Sequence, residues 1–290
     1  MHRRLALFAA FLATAAVPVT GLAGVPSSAE EPAGTTLRVG TYNTQVSRSV
    51  AEFRAGVTAL ADRVDVFGLQ EVNGMDKEKE VLYSMKDQGW SYFRVKPGRL
   101  TPVLWRTDRF DLLSARNAKI SNARWIGHET PGLKPYEPAR HVVVVHLQDR
   151  VSGERLSVIN VHLLSAATRN GHMWPGRPRR YALYVDGLIH LEALVAQEKQ
   201  GGQVFVLGDY NAGYVPDTYY QRKHLPYRTF KRLDMRSMWA TEIPANGLGT
   251  RNDALIDQVY SAFGADTAKV QFDIKHSDHR PAIATYSLGS

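Results

Sequence analysis

Residues 275–281 (KHSDHRP) place two histidines, a carboxylate and two cations in one turn near the C-terminus. Apolar runs flank the turn at 268–274 (AKVQFDI) and 282–286 (AIATY), and both predict strands. A metal-assisted hydrolase needs such an arrangement: an oxygen ligand for a hard cation beside a group that titrates near neutrality. Other uncommon polar residues stand at the ends of apolar runs. Asn43 follows VGTY, Gln70-Glu71 end VFGLQE, and His162 lies near the end of SVINVH. Asp209 and Asn211 follow VFVLG, and Asp257 lies within LIDQVY. Loops beyond strand ends are where sheet proteins commonly place ligands and chemistry. Any one of these residues reads equally well as a turn former or a satisfied structural group. So many agreeing in type and location read as a site.

The elements that must position them alternate along the chain. Residues 36–42 (TLRVGTY) predict a first strand. Ser49 and Glu52 form a capping box, after which Phe53, Val57, Leu60 and Val64 recur at the helical period. Residues 66–70 (VFGLQ) predict a buried strand and 76–86 a helix. Residues 102–106 (PVLWR) and 110–115 (FDLLSA) predict a strand pair across a turn at Thr107-Asp108. A hairpin follows, 140–147 (RHVVVVHL) and 155–163 (RLSVINVHL), joined through Ser152-Gly153. Residues 181–197 predict a helix with Tyr184, Leu188, Leu191 and Val195 on one face. The later strands are predicted at 204–207, 255–260, 268–274 and 282–286. Hairpins mixed with helices argue against a purely parallel sheet and for layered sheets covered by helices.

A chain of 290 residues, 44% hydrophobic and 22% charged, with no internal linker, repeat or low-complexity run, suits one folded domain. Its start differs. MHRR, the apolar run at 5–17 and the small residues Ser27 and Ala29 predict an export signal at 1–29, a short tail at 30–35 and a domain over 36–290. A secreted protein is therefore expected. There is no cysteine, so the fold must rest on its core rather than on disulfides. The net charge of +8 becomes +6 without Arg3 and Arg4 and favours anionic partners: nucleic acid, phospholipid headgroups or polyphosphates. Nothing predicts a coiled coil or an obligate partner, which makes a monomer the default.

The blocks VGTYNTQ (39–45), FGLQEV (67–72), INVHL (159–163), VLGDYNA (206–212), LIDQVY (255–260) and SDHRPAIA (277–284), in this order, resemble the endonuclease/exonuclease/phosphatase superfamily. The resemblance implies an α+β fold, a four-layer α/β/β/α sandwich of two mixed, mainly antiparallel sheets flanked by helices. It also implies hydrolysis of a phosphate ester by water with a divalent metal, and one active site at the strand ends. Glu71, Asn43 and Asp278 would then offer two carboxylates and an amide oxygen, a set suited to Mg²⁺ or Mn²⁺. Neither HExxH nor a cysteine site is present, which argues against zinc. His279 would serve as general base or phosphate-binding cation, oriented by Asp257. Asp209 would orient water or bind a second metal, Asn211 would bond the phosphate, and His162 would bind phosphate or protonate the leaving group. Arg140 resembles the arginine that deoxyribonucleases set against substrate phosphate.

Residues 168–180 (TRNGHMWPGRPRR) follow His162 and interleave arginine with an aromatic, which suits a nucleic-acid backbone as well as a solvated loop. The leading expectation is a secreted Mg²⁺-dependent nuclease acting on DNA. A sphingomyelinase-type enzyme acting on phospholipid headgroups is the alternative, and an inositol-phosphate-type phosphatase comes third. A catalytically dead binding module would have lost some of the site residues, and none is missing.

Overall fold

The computed structural model describes residues 36–129 and 131–288; the expected export signal and tail, 1–35, lie outside the described residues. The strands are β1 (Thr36–Asn43), β2 (Val66–Gln70), β3 (Trp90–Phe93), β4 (Val103–Arg106), β5 (Phe110–Ser121), β6 (Arg124–Trp125), β7 (Tyr136–Glu137) and β8 (Arg140–Asp149). They continue with β9 (Arg155–His162), β10 (Thr168–Arg169), β11 (His172–Met173), β12 (Gln203–Asp209), β13 (Arg236–Ser237), β14 (Asp257–Ser261), β15 (Thr267–Val270) and β16 (Ala282–Ser287). The α-helices are α1 (Val50–Ala61), α2 (Pro178–Glu198), α3 (Tyr214–Tyr220) and α4 (Pro226–Lys231).

Two six-stranded sheets form the centre, ordered β15-β16-β1-β2-β4-β3 and β13-β14-β12-β9-β8-β5. Only β1 with β2 and β9 with β12 run parallel; the other neighbours are antiparallel. Each sheet thus has a central strand, β1 or β12, with one parallel and one antiparallel neighbour. The registers Asn43↔Gln70 and Asp209↔His162 put equivalent strand ends side by side.

The apolar runs on central strands follow from burial on both faces. Val143, Val145, Val158 and Leu207 join Val39, Val66 and Val103 between the sheets. Val142, Val144, Ile159 and Val161 turn outward onto Leu183, Leu188, Leu191 and Val195 of α2. Phe67, Leu69 and Leu104 meet Phe53, Val57 and Leu60 of α1 on the other outer face. Period-2 alternation serves the two faces of each strand and period-3.6 recurrence the single face of each helix. The result is the expected four-layer sandwich, and the Ser49–Glu52 capping box opens α1.

Gly68 marks where the sheets come closest. A Cβ there would lie 2.1 Å from Leu207 Cδ1 and 2.5 Å from Asn160 Cγ, so only glycine fits. Beside it, Gln70 Nε2 donates to Asn160 Oδ1 at 2.7 Å, and Asn160 Nδ2 donates to the carbonyls of Leu69 and Pro102, both at 2.8 Å. This buried amide network ties β2, the strand that leads into Glu71, to the opposite sheet.

Four details differ from the sequence expectation. β4 and β5 do not pair: the turn between them carries the chain from one sheet to the other. The helix expected at 76–86 is a π-helical turn, Lys77–Leu82, followed by a 3₁₀ turn, Ser84–Gln88. The strand expected over 268–274 ends at Val270, and the one expected from 255 begins at Asp257.

Candidate active site

Strand ends from both sheets meet in one cleft of about 260 Å³, lined by Glu71, His162, Asp209, Asn211, Asp278 and His279 among others. Local backbone geometry aims several of these side chains. Glu71, just past β2, has φ 62°, and Asn211, just past β12, has φ 50°; both are left-handed conformations unusual for residues other than glycine. Such strain costs on the order of 1–3 kcal/mol per residue and persists where surrounding structure enforces it. Here the Val46 N–H fixes Glu71 Oε2 at 2.7 Å, and Asn211 N donates to Asp209 Oδ1 at 2.8 Å.

The KHSDHRP turn is tied to the end of β1. The Ser277 hydroxyl donates to the Asn43 carbonyl at 2.8 Å, and Asp278 N donates to Gln45 Oε1 at 3.2 Å. That anchorage brings His279 against Asp257, with Nδ1 2.8 Å from Oδ2. Asp257 is fully buried, and its Oδ1 has no hydrogen-bond partner. His279 Nε2, at the other side of the ring, lies 3.9 Å from Asp209 Oδ2. Burial opposes charge on this ring, but the Asp257 carboxylate, with Asp209 and Asp278 beyond it, raises its pKa to about 9. These carboxylates favour the charged form of the His279 ring.

The other groups shift in different senses. Burial and the neighbouring Asp257 raise the Asp209 carboxyl, against partial opposition from His279 and His162. Burial lowers His162, although Asp209 and Glu71 favour its charged form. His162 Nε2 lies 3.6 Å from Asp209 Oδ2 and 3.9 Å from Glu71 Oε1. Burial also works upward on Glu71, but His162, the Val46 N–H and the Asn43 amide outweigh it and lower its pKa.

Glu71 and Asp278 line the cleft, with the Asp209 carboxylate at its inner side. Oxygen-rich walls of this kind fit a hard divalent cation. Among the described residues, possible ligand atoms of Asp209, Asp257 and His279 lie mutually within 4.8 Å. Two of these are already engaged with each other through the Nδ1 contact, which leaves the cleft-lining carboxylates Glu71 and Asp278 to offer oxygen to a cation. Asn43 behaves differently from the amide-oxygen ligand expected of it. Its Nδ2 donates to Asp209 Oδ2 at 3.0 Å and Glu71 Oε1 at 3.2 Å, while its Oδ1 accepts the Gln45 N–H at 3.0 Å. Its amide would have to turn over to present oxygen to a cation.

Arg140 stands in an adjoining groove that shares Val46, Glu71 and His162 with the cleft. It donates to the His162 carbonyl and to Glu137 Oε2, both at 3.2 Å, and its Nε is buried without a partner. Asn211 Nδ2 donates to the Leu163 carbonyl at 3.0 Å. Sequence reasoning missed Arg251, whose Nη2 holds Asp278 Oδ2 at 3.0 Å, and the bridging roles of Gln45 and Asn160. Gln45 and Asn160 sit inside the motif blocks, so their position was the available signal; Arg251 lies in a loop with none.

A protein from Bacteroides thetaiotaomicron described as an endonuclease/exonuclease/phosphatase family protein is similar over 88% of this chain and 99% of its own, at 18% identity and TM-score 0.61. A mannosyl-6-phosphatase from B. thetaiotaomicron VPI-5482 is similar over 86% of this chain and 98% of its own, at 18% identity and TM-score 0.60. TDP2 from D. rerio, solved with a single strand DNA product, is similar over 87% of this chain and 98% of its own, at 13% identity and TM-score 0.56. Among curated proteins none matches the sequence. At these identities the likeness concerns the fold. The sequence itself matches a family model across residues 40–279, and the chain belongs to the Endonuclease/Exonuclease/phosphatase family, hydrolases of phosphate esters that generally depend on a divalent metal.

Proposed function

We propose that this chain is a secreted, Mg²⁺-dependent phosphodiesterase that cleaves nucleic acid within the strand, with DNA its favoured substrate. The observation that carries the reading is the buried His279–Asp257 pair facing Asp209 across a cleft walled by Glu71 and His162. Asp257 accepts the His279 Nδ1 proton and leaves Nε2–H for a phosphate oxygen. With its pKa near 9, His279 suits the cationic role better than that of general base. Asp209, raised by burial, is the better acceptor for the proton of an attacking water. His162 offers its Nε2 side to a phosphate oxygen or to the leaving oxygen, and the Asn43 amide hydrogens hold Glu71 and Asp209 in place.

Glu71 and Asp278 would hold the cation. When bound, it supplies neutralisation of the phosphate charge and polarisation of the phosphorus. Arg140, with part of its guanidinium unpartnered beside His162, suits a substrate phosphate. The export part of the reading rests on residues 1–29, and the DNA part on the family, the net charge of +8 and the basic segment beyond His162. The mannosyl-6-phosphatase likeness favours phosphomonoester hydrolysis as a second reading.

The test is nicking of supercoiled plasmid by the mature protein with Mg²⁺, beside EDTA and His279→Ala controls. Metal-dependent nicking that is absent from both controls is expected. A folded sample that leaves plasmid intact but hydrolyses soluble phosphomonoesters would replace this reading with the second.

A further inference from the structure

We propose that the β10–β11 ribbon and the tip of α3 form a stacking platform for a single polynucleotide strand leaving the cleft, an inference that rests on the nuclease reading above. Both elements are rooted at Asn211 in the cleft wall. The Thr168 hydroxyl, at the base of the ribbon, donates to the Asn211 carbonyl at 2.7 Å, and α3 begins at Tyr214 just beyond it. At the ribbon tip Gly171 has φ 74°, and a Cβ there would lie 2.6 Å from the Pro216 carbonyl oxygen, so ribbon and helix touch backbone to backbone.

This contact builds an aromatic surface. The His172 ring lies 4.1 Å from that of Tyr220, and Tyr219 meets Tyr220 edge-on at 4.9 Å. Tyr219 is 79% exposed and Tyr220 45%. Large aromatic surface left in water next to an active cleft marks a place where a ligand lands. Charge stands beside it. Arg222 lies 5.9 Å from the Tyr220 ring, and Arg169 and Arg177 flank Trp174 at 5.4 and 3.7 Å. Among the described residues these three arginines form no ion pair, whereas nearby Arg180 and Arg232 are held by Glu137 and Glu192.

Unneutralised guanidinium groups interleaved with open aromatic faces match a strand whose phosphates meet the cations and whose bases stack on the rings. Duplex DNA keeps its base faces stacked inside the helix and could use only the cations. The platform therefore discriminates by strandedness rather than by sequence.

The test uses the full mature chain carrying His279→Ala, so that binding is measured without turnover. Anisotropy is followed with a labelled oligothymidylate of about ten nucleotides, within the usual span of a single-strand site, and with a duplex of the same length. Adding Tyr219→Ala and Tyr220→Ala should weaken single-strand binding about ten-fold, the effect of losing one stacked base. The corresponding Phe pair should bind like the parent, and duplex affinity should stay within about two-fold in both. Unchanged single-strand affinity in the Ala pair, or equal loss for single strand and duplex, overturns the platform. A protein that nicks plasmid yet gives either of those results retains the nuclease reading and loses only this inference. A chain that hydrolyses bis(p-nitrophenyl) phosphate with His279 intact, but binds no polynucleotide as His279→Ala, removes both.

Discussion

The two ends of the sandwich hold similar charges in opposite ways. At the end where β1 begins, Asp65 accepts from Arg38 at 2.7 Å and Arg109 at 3.1 Å, and Arg109 also reaches buried Asp149 at 2.7 Å. A further Arg109 N–H donates to the Thr36 carbonyl at 2.6 Å, so this guanidinium reaches strands of both sheets and joins them. At the end where β1 stops, Glu71, Asp209, Asp257 and Asp278 face histidines, an amide and two arginines, Arg251 and, in the adjoining groove, Arg140. Carboxylates there outnumber fixed cations, and one buried oxygen, Asp257 Oδ1, has no partner. The far end uses charge to hold the sheets together. The cleft end leaves charge imperfectly matched, which is the condition for recruiting a cation and a phosphate.

The strongest way to break this contrast is to neutralise a cleft carboxylate. Asp257→Asn should lower phosphodiester turnover by roughly 10³–10⁴-fold, since the imidazole of His279 loses the partner that orients and charges it. Its melting temperature at neutral pH should fall, since the charged His279 ring loses the carboxylate that stabilises it, and the deficit should close by about pH 10. A loss of stability that persists at about pH 10 would show that the cleft pair is structural like its counterpart at the far end.

Next comes the reverse experiment. Arg109→Ala leaves buried Asp149 without its ion-pair partner and Asp65 with Arg38 alone, and should destabilise the protein by about 3–5 kcal/mol. Denaturant unfolding measures this, and kcat per folded molecule should stay near the parent value. An unaltered midpoint would remove the far end's claim to be the clamp.

The third test sharpens the contrast through pH. His279 has an ordinary pKa of 6.5 that the folded cleft raises to about 9, so its contribution to stability is complete below pH 6.5 and is lost as pH rises through about 9. The difference corresponds to on the order of 3 kcal/mol. In EDTA, the melting temperature of the parent should fall more between about pH 6 and about pH 10 than that of His279→Ala. Parallel slopes would remove His279 as the source.

The layers were legible in the sequence because each apolar pattern had one physical meaning. Four consecutive valines, 142–145, can serve only a strand buried on both faces, and the Ser49–Glu52 box has a single helical use. The cleft was legible as residue types at strand ends. Less could be read where two structures share one pattern. The segments around Thr107-Asp108 are apolar strands with a turn between them, which describes a hairpin and a crossover equally well; the ion pairs of Arg109, distant in sequence, belong to the crossover. The direction of the Asn43 amide depends on the Gln45 N–H, and the hold of Arg251 on Asp278 on a loop meeting a turn 27 residues away. Spacing along the chain encodes neither.

Gly68 works as a mechanical stop. With hydrogen as its side chain, this residue lets β2 close on Leu207, and the two groups that follow on these strands are Glu71 and Asp209. The separation of the two catalytic walls is thus a tolerance machined deep in the core, one contact below the chemistry. Compression, thermal expansion or an added methyl at that depth would detune the cleft while every group lining it remained intact.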